Sequence, residues 1–184
     1  MGWNGSIPGF GVLAAIVAGV DDHPLRPLLF LDVDGTLLPY GAPPPSGLAE
    51  WDLWQSAANP QLAKLVPAHG ARLLALGCDL VWATAWMDDA NDVVAPRLGL
   101  PRLPVADLPD APEEDEPDVL HWKTSALVAA AGGRAFAWVD DEIGDLDRQW
   151  VEANHPGRAL LLRVDGRTGL TDADFAVLDT WARA

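Results

Sequence analysis

Short apolar runs alternate with segments of helical spacing along most of the chain. The runs typical of buried parallel strands lie at residues 28–33, 80–84, 135–139 and 159–164, with a weaker one at 103–105. The segments between them place apolar residues three or four positions apart, which predicts helices. These helices are predicted over residues 48–54, 61–76, 88–98, 124–131, 146–154 and 171–182. Alternating strands and helices predict an α/β fold, with a mainly parallel sheet covered by helices on both faces.

Local signals refine two of the predicted helices. Pro67 and Gly70 interrupt the segment 61–76, since proline lacks the backbone N–H that a helix interior needs. Thr171 and Asp174 stand in the positions of a helix cap and its third-residue acid, which predicts where the last helix begins.

The first 24 residues form an N-terminal extension, and residues 25–184 are expected to form a single domain. The apolar run Phe10–Val20 has 11 residues, whereas a membrane-spanning helix needs about 20. No Lys or Arg precedes Arg26, so the run lacks the basic start of a signal peptide. We therefore expect a cytoplasmic protein with no membrane partner.

The composition restricts the partners of this domain. The 184 residues carry 12 Lys and Arg against 27 Asp and Glu, a net charge of −15. Such a charge disfavours proteins that bind a nucleic-acid backbone or an anionic membrane through basic surface. The single cysteine, Cys78, excludes an internal disulfide. Seven of the acids lie in the segment 107–118, which is typical of a solvated loop.

The first predicted strand ends in the sequence Asp32-Val33-Asp34-Gly35-Thr36. Ligands of open α/β sheets bind beyond the carboxyl ends of the strands. Two carboxylates two residues apart point to nearly the same side there, and Gly35 lets the backbone turn sharply. An ordinary turn at a strand end is the alternative explanation.

Three further features fall at the same edge of the predicted sheet. Thr84 ends the second strand, where a hydroxyl and the following backbone N–H groups can bind a phosphate oxygen. Lys123, one of only two lysines, begins a helix. Asp140 and Asp141 follow the third strand, and paired acids there repel each other unless a cation such as Mg²⁺ lies between them.

In these four segments the chain resembles the haloacid dehalogenase-like (HAD) superfamily. The segments occur in the family's order: LFLDVDGTL at 29–37, LVWATAW at 80–86, HWKTSAL at 121–127 and FAWVDDE at 136–142. The sequences of these segments are similar to those of small HAD domains associated with bacterial RNA-repair proteins. The resemblance implies a Rossmannoid three-layer α/β/α fold and a phosphoric monoester hydrolase.

The resemblance also implies roles for individual residues. Asp32 would be the nucleophile that forms an aspartyl-phosphate, and Asp34 the general acid and then the general base. Thr84 and Lys123 would bind the phosphoryl oxygens. The acid at position 34 is typical of phosphatases and phosphotransferases of the family, and not of its dehalogenases or transport ATPases.

The resemblance implies one metal cofactor, Mg²⁺. Asp32 and Asp140 would bind it by their carboxylates and Asp34 by its backbone carbonyl. Asp141 or Asp145 would be a supporting ligand. A local cation and an ammonium group are needed because a phosphate dianion cannot otherwise approach several carboxylates.

The spacing of the motifs leaves little room for a cap domain. The intervals 37–79 and 106–120 have 43 and 15 residues, so we expect a minimal cap or none, and an open site. The acidic charge favours a small phosphorylated metabolite or nucleotide as substrate, with a nucleic-acid end as the alternative. A non-catalytic interaction domain is a third reading.

The nine tryptophans divide by position. Trp82 and Trp138 alternate within strands and are expected in the core, as are Trp51 and Trp54 on a helix. Trp86 and Trp122, next to the candidate phosphate ligands, either pack or stack on a substrate ring. His121 is expected to be structural.

Overall fold

The structure, a computed structural model, describes residues 25–41, 53–111 and 119–184. Within these ranges four parallel strands form one sheet in the order β2-β1-β3-β4. The strands are β1 (Leu28–Leu31), β2 (Asp79–Trp82), β3 (Phe136–Asp140) and β4 (Ala159–Arg163). The predicted parallel sheet is thus confirmed, with strand ends one or two residues from the predicted ones.

The central strand β1 fixes the register of the sheet. Phe30 pairs with Val81 of β2 on one side and with Trp138 of β3 on the other. All four residues of β1 are buried, as expected for a strand covered on both faces. After β1 the chain turns at Gly35, whose φ of +69° is readily adopted only by glycine.

Helices cover both faces of the sheet. They are α1 (Ala68–Ala75), α2 (Asp89–Val93), α3 (Ala95–Leu98), α4 (Thr124–Ala131), α5 (Asp145–Asn154) and α6 (Asp172–Ala182). Leu29 and Leu31 belong to the same core as buried residues of α1, α2, α3 and α6. Leu28 and Phe30 belong to a second core with residues of α4 and α5. Alternate residues of a strand point to opposite faces of the sheet. The two cores therefore lie on opposite sides of it, and the three layers are helices, sheet and helices.

Two predicted helices are each divided. The segment 61–76 is interrupted at Pro67, as predicted, and consists of a 3₁₀ helix, Pro60–Lys64, followed by α1; the interruption predicted at Gly70 is wrong, because Gly70 lies within α1. Pro67 stands at the cap of α1, because proline is tolerated at a helix start but not inside. The segment 88–98 is α2 and α3, with Pro96 in the first turn of α3. Val105, in the weak run, makes only an isolated bridge to Trp82.

The predicted cap of the last helix is confirmed. Asp174 Oδ2 accepts from the Thr171 backbone N–H at 2.9 Å, and the Asp174 N–H donates to Thr171 Oγ1 at 3.4 Å. Together these bonds form a capping box.

Several sequence predictions lie outside the described residues. They concern the extension 1–24, the proline triplet 43–45, Trp51 and most of the acidic loop 107–118. Among the described helices, none has the length and apolar character needed to cross a membrane.

Candidate active site

A buried ammonium group joins two carboxylates at the carboxyl edge of the sheet. Asp32 follows β1, Asp140 ends β3, and Lys123 directly precedes α4. Lys123 Nζ donates to Asp32 Oδ1 at 2.7 Å and to Asp140 Oδ2 at 2.8 Å. All three residues are buried, with exposed fractions of 4% for Asp32, 3% for Lys123 and 1% for Asp140. Charge-assisted bonds of this length hold the three groups in one geometry.

The three charges perturb one another. Burial alone would lower the pKa of Lys123, but the two carboxylates outweigh burial and the pKa lies above its ordinary value. Burial would raise the pKa of Asp140, but Lys123, together with His121 and the Glu142 backbone N–H, outweighs burial and the pKa lies below its ordinary value. Burial raises the pKa of Asp32 well above its ordinary value, because Lys123 compensates it only in part. Lys123 and Asp140 therefore form an ion pair, and a further cation would favour ionised Asp32.

Asp34 accepts hydrogen bonds from two indole rings. Trp54 Nε1 donates to Oδ1 at 2.7 Å, and Trp86 Nε1 lies 2.9 Å from Oδ1 and 3.0 Å from Oδ2. Gln55 Nε2 donates to Oδ2 at 3.3 Å. Burial raises the pKa of Asp34, and these N–H donors hold that pKa lower than burial alone would. Trp86 is 2% exposed, so it packs and bonds Asp34 instead of stacking on a substrate.

Asp147 fixes the turn that carries Lys123. Its Oδ1 accepts from the His121 backbone N–H at 2.9 Å and from the Thr124 hydroxyl. Its Oδ2 accepts from the Gly144 N–H at 2.7 Å. One buried carboxylate thus joins the starts of α4 and α5. The sequence analysis missed Asp147, whose signal is an acid three residues after the glycine that precedes a helix.

Asp141 lies in a space that two glycines leave open. A methyl group on either Gly35 or Gly166 would come 2.3 Å from Asp141 Oδ2, far inside van der Waals contact. Burial, with repulsion from Asp140 and Glu142, raises the pKa of Asp141 to about 7. Gly166, in the loop after β4, is a site residue that the sequence analysis did not find.

The carboxylates at this edge suit a hard cation. Asp32, Asp140 and Asp141 each offer an oxygen, and these oxygens lie within 4.8 Å of one another. An all-oxygen donor set is what Mg²⁺ prefers. Asp145 is exposed at the start of α5 and is not part of this group, so Asp141 is the better placed of the two predicted supporting ligands.

A second group stands beside the first. It combines the Asp140 carboxylate with His121 and Glu142. His121 Nε2 lies 3.2 Å from Glu142 Oε2, and its ring meets the Trp138 ring edge-on with centroids 5.3 Å apart. His121 therefore packs as expected of a structural residue while also contacting a carboxylate.

The remaining predicted site residues follow the same edge. Thr84 is fully buried two residues after β2, and its Oγ1 lies 3.4 Å from the Trp86 backbone N. Trp122 is half-buried, and its ring centroid lies 5.3 Å from Lys123 Nζ. Trp82 and Trp138 are fully buried in the core, as predicted from their positions in the strands.

Comparison with known proteins adds one match. A family model described as the HAD domain in Swiss Army Knife RNA repair proteins matches residues 28–175. No curated protein and no solved structure matches the chain.

Proposed function

The chain belongs to the family of HAD domains in Swiss Army Knife RNA repair proteins, and from this we propose that it is a Mg²⁺-dependent phosphomonoester hydrolase that forms an aspartyl-phosphate. Membership of the family supports hydrolase activity in general. The observation that supports a phosphomonoester hydrolase in particular is the pair of hydrogen bonds from Lys123 to Asp32 and Asp140. Lys123 there offers positive charge beside a carboxylate able to act as nucleophile.

In the first step an Asp32 carboxylate oxygen attacks the phosphorus of the ester. The bond between phosphorus and the leaving oxygen breaks, and the leaving oxygen takes the proton that Asp34 carries. In this proposal Lys123 stabilises the charge on the phosphoryl oxygens, and the Thr84 hydroxyl adds a hydrogen-bond donor to them. The products of this step are the free alcohol and phosphorylated Asp32.

In the second step a water oxygen attacks the same phosphorus. Asp34, now ionised, takes a proton from that water, and the bond between phosphorus and Asp32 breaks to release inorganic phosphate. Asp32 and Asp34 are thereby returned to their starting forms. Mg²⁺ held by Asp32, Asp140 and Asp141, with the Asp34 backbone carbonyl, would neutralise the phosphoryl charge.

The substrate proposal rests on charge and on the family description, which point in different directions. A net charge of −15 favours a small phosphorylated metabolite or nucleotide, because long nucleic acids require basic contact surface. The family's name refers to RNA repair, which favours the terminal phosphate of an RNA strand. We place the small substrate first and the RNA end second.

Hydrolysis of an aryl phosphate with Mg²⁺ tests the reaction class. Activity is expected for the native chain and should vanish in excess EDTA and in the variant Asp32→Asn, which keeps the shape but removes the nucleophilic charge. Thr171→Ala, at the cap of α6 and outside the candidate site, is the control that retains activity. A chain inert towards a broad panel of phosphate esters would refute the enzyme proposal and favour an interaction domain.

Comparing a nucleoside monophosphate with a 3′-phosphorylated oligoribonucleotide separates the two substrates. The first should give the higher kcat/KM. Preference for the oligonucleotide, with a rate that falls as salt rises, would reverse the ranking.

A further inference from the structure

We propose that the indole N–H groups of Trp54 and Trp86 position the Asp34 carboxyl group for proton transfer to the leaving oxygen. This inference rests on the proposed phosphatase function. It concerns two positioning residues, because both indoles bind Asp34 and would act through it.

The bonds are distributed unequally over the two oxygens of Asp34. Oδ1 accepts from both indoles, at 2.7 Å from Trp54 and 2.9 Å from Trp86. Oδ2 has longer contacts, at 3.0 Å from Trp86 and 3.3 Å from Gln55. The two indoles together hold the carboxyl group, most closely at Oδ1.

An indole can only donate a hydrogen bond. It cannot accept a hydrogen bond from the hydroxyl of protonated Asp34, and so cannot turn that hydroxyl back into the protein. A protonated Asp34 therefore directs its O–H away from the two rings. A Ser, Thr or Asn in place of these tryptophans could accept from that hydroxyl and turn the proton inwards.

The two rings are themselves held in place. Trp86 is 2% exposed and belongs to the core of β1 and β2. The Trp54 carbonyl accepts from Asn59 Nδ2 at 2.7 Å, and its ring lies 5.5 Å from the Tyr40 ring. Fixed donors allow Asp34 little rotation, which is the condition for efficient proton transfer.

The dependence of rate on leaving group tests the proposal. Departure of an alkoxide requires a proton from the general acid, whereas a nitrophenolate leaves without one. The quantity to compare is kcat/KM, which covers the steps up to departure of the leaving group and not the later attack of water.

Trp86→Phe and Trp54→Phe remove one N–H each and keep an aromatic ring. Each should lower kcat/KM for an alkyl phosphate by about tenfold or more and for a nitrophenyl phosphate by less than about threefold. The double variant should widen the gap. Trp82→Phe is the matched control, because this buried indole N–H donates to Asn91 at 3.0 Å instead of to Asp34. It should lower both rates alike or leave both unchanged.

Each outcome of these measurements either supports or overturns the positioning role of the two tryptophans. A loss of equal size for the two esters in both Trp54→Phe and Trp86→Phe would overturn the positioning role while leaving the phosphatase proposal intact. A leaving-group effect as large in Trp82→Phe would also overturn it. Wild-type protein that hydrolyses neither ester would remove the proposed function and this inference with it. Trp54 is only half-buried, so its variant provides a test even if Trp86→Phe fails to fold.

Discussion

Replacing Lys123 with methionine is the perturbation whose size follows most directly from the structure. Methionine keeps most of the side-chain volume and removes the ammonium. The two charge-assisted bonds at 2.7 and 2.8 Å are lost, and Asp32 and Asp140 are left buried beside each other. Removing one partner of a buried ion pair destabilises proteins by about 3–5 kcal/mol. We expect the free energy of unfolding of Lys123→Met to fall by that amount.

The penalty depends on pH with a defined sign. Without the ammonium, both carboxyl pKa values rise: that of Asp32, already above its ordinary value, moves further above it, and that of Asp140 is no longer held below it by Lys123. The folded state is then penalised wherever these carboxylates would be ionised, and the penalty shrinks as the pH falls and they take up protons. The loss should therefore be largest near pH 8 and smallest near pH 4. Adding Asp140→Asn to Lys123→Met should restore part of the lost stability, because it removes one of the unpaired charges.

The assay is urea unfolding in EDTA, followed by tryptophan fluorescence. Lys64→Met is the matched control, because within the described part of the chain the other lysine donates to one neutral acceptor, the Tyr40 carbonyl, at 2.6 Å. A Lys123→Met protein within about 1 kcal/mol of wild type at pH 8 would contradict the reasoning. A loss no greater than that of Lys64→Met, or no recovery in the double variant, would contradict it equally.

The remaining predictions concern the glycine beside the carboxylates, an acid and a helix cap. Gly166→Ala would place a methyl group 2.3 Å from Asp141 Oδ2. Unfolding experiments should show a loss of about 1–3 kcal/mol in stability, and Mg²⁺ titration should show weaker binding. Unchanged binding would count against Asp141 as a ligand. The pKa of Asp141 is raised to about 7 in the folded state, so its ionisation opposes folding. In EDTA the stability of Asp141→Asn relative to wild type should therefore rise between pH 4 and pH 8, and a constant difference would refute this. Thr171→Ala should lower the free energy of unfolding by about 1 kcal/mol with kcat unchanged; a change in kcat would link the cap of α6 to the site.

The fold was predicted correctly from the sequence where one signal, a run of apolar residues, dominates. The strands are short apolar runs, and Asp32 after β1 and Asp140 at the end of β3 mark the carboxyl edge. Among the described residues, the helices lie where they were predicted, and the break of 61–76 at Pro67 was predicted, whereas the single helix predicted over 88–98 was wrong. Pro67 and Pro96 end or start helices there, and the apolar spacing of three or four continues across them.

By itself the sequence determined that Asp32, Lys123 and Asp140 lie at one edge. Parallel strands present their carboxyl ends together, and the crossover helix that Lys123 precedes begins at the same edge. Only the tertiary structure decided what surrounds these groups. Trp86 reaches Asp34 across 52 positions of the chain, and Gly166 opens space for Asp141 from a loop with no motif. Such contacts depend on loop paths and on the direction of single N–H bonds. Packing sets both, and neither leaves a period or a spacing in the sequence.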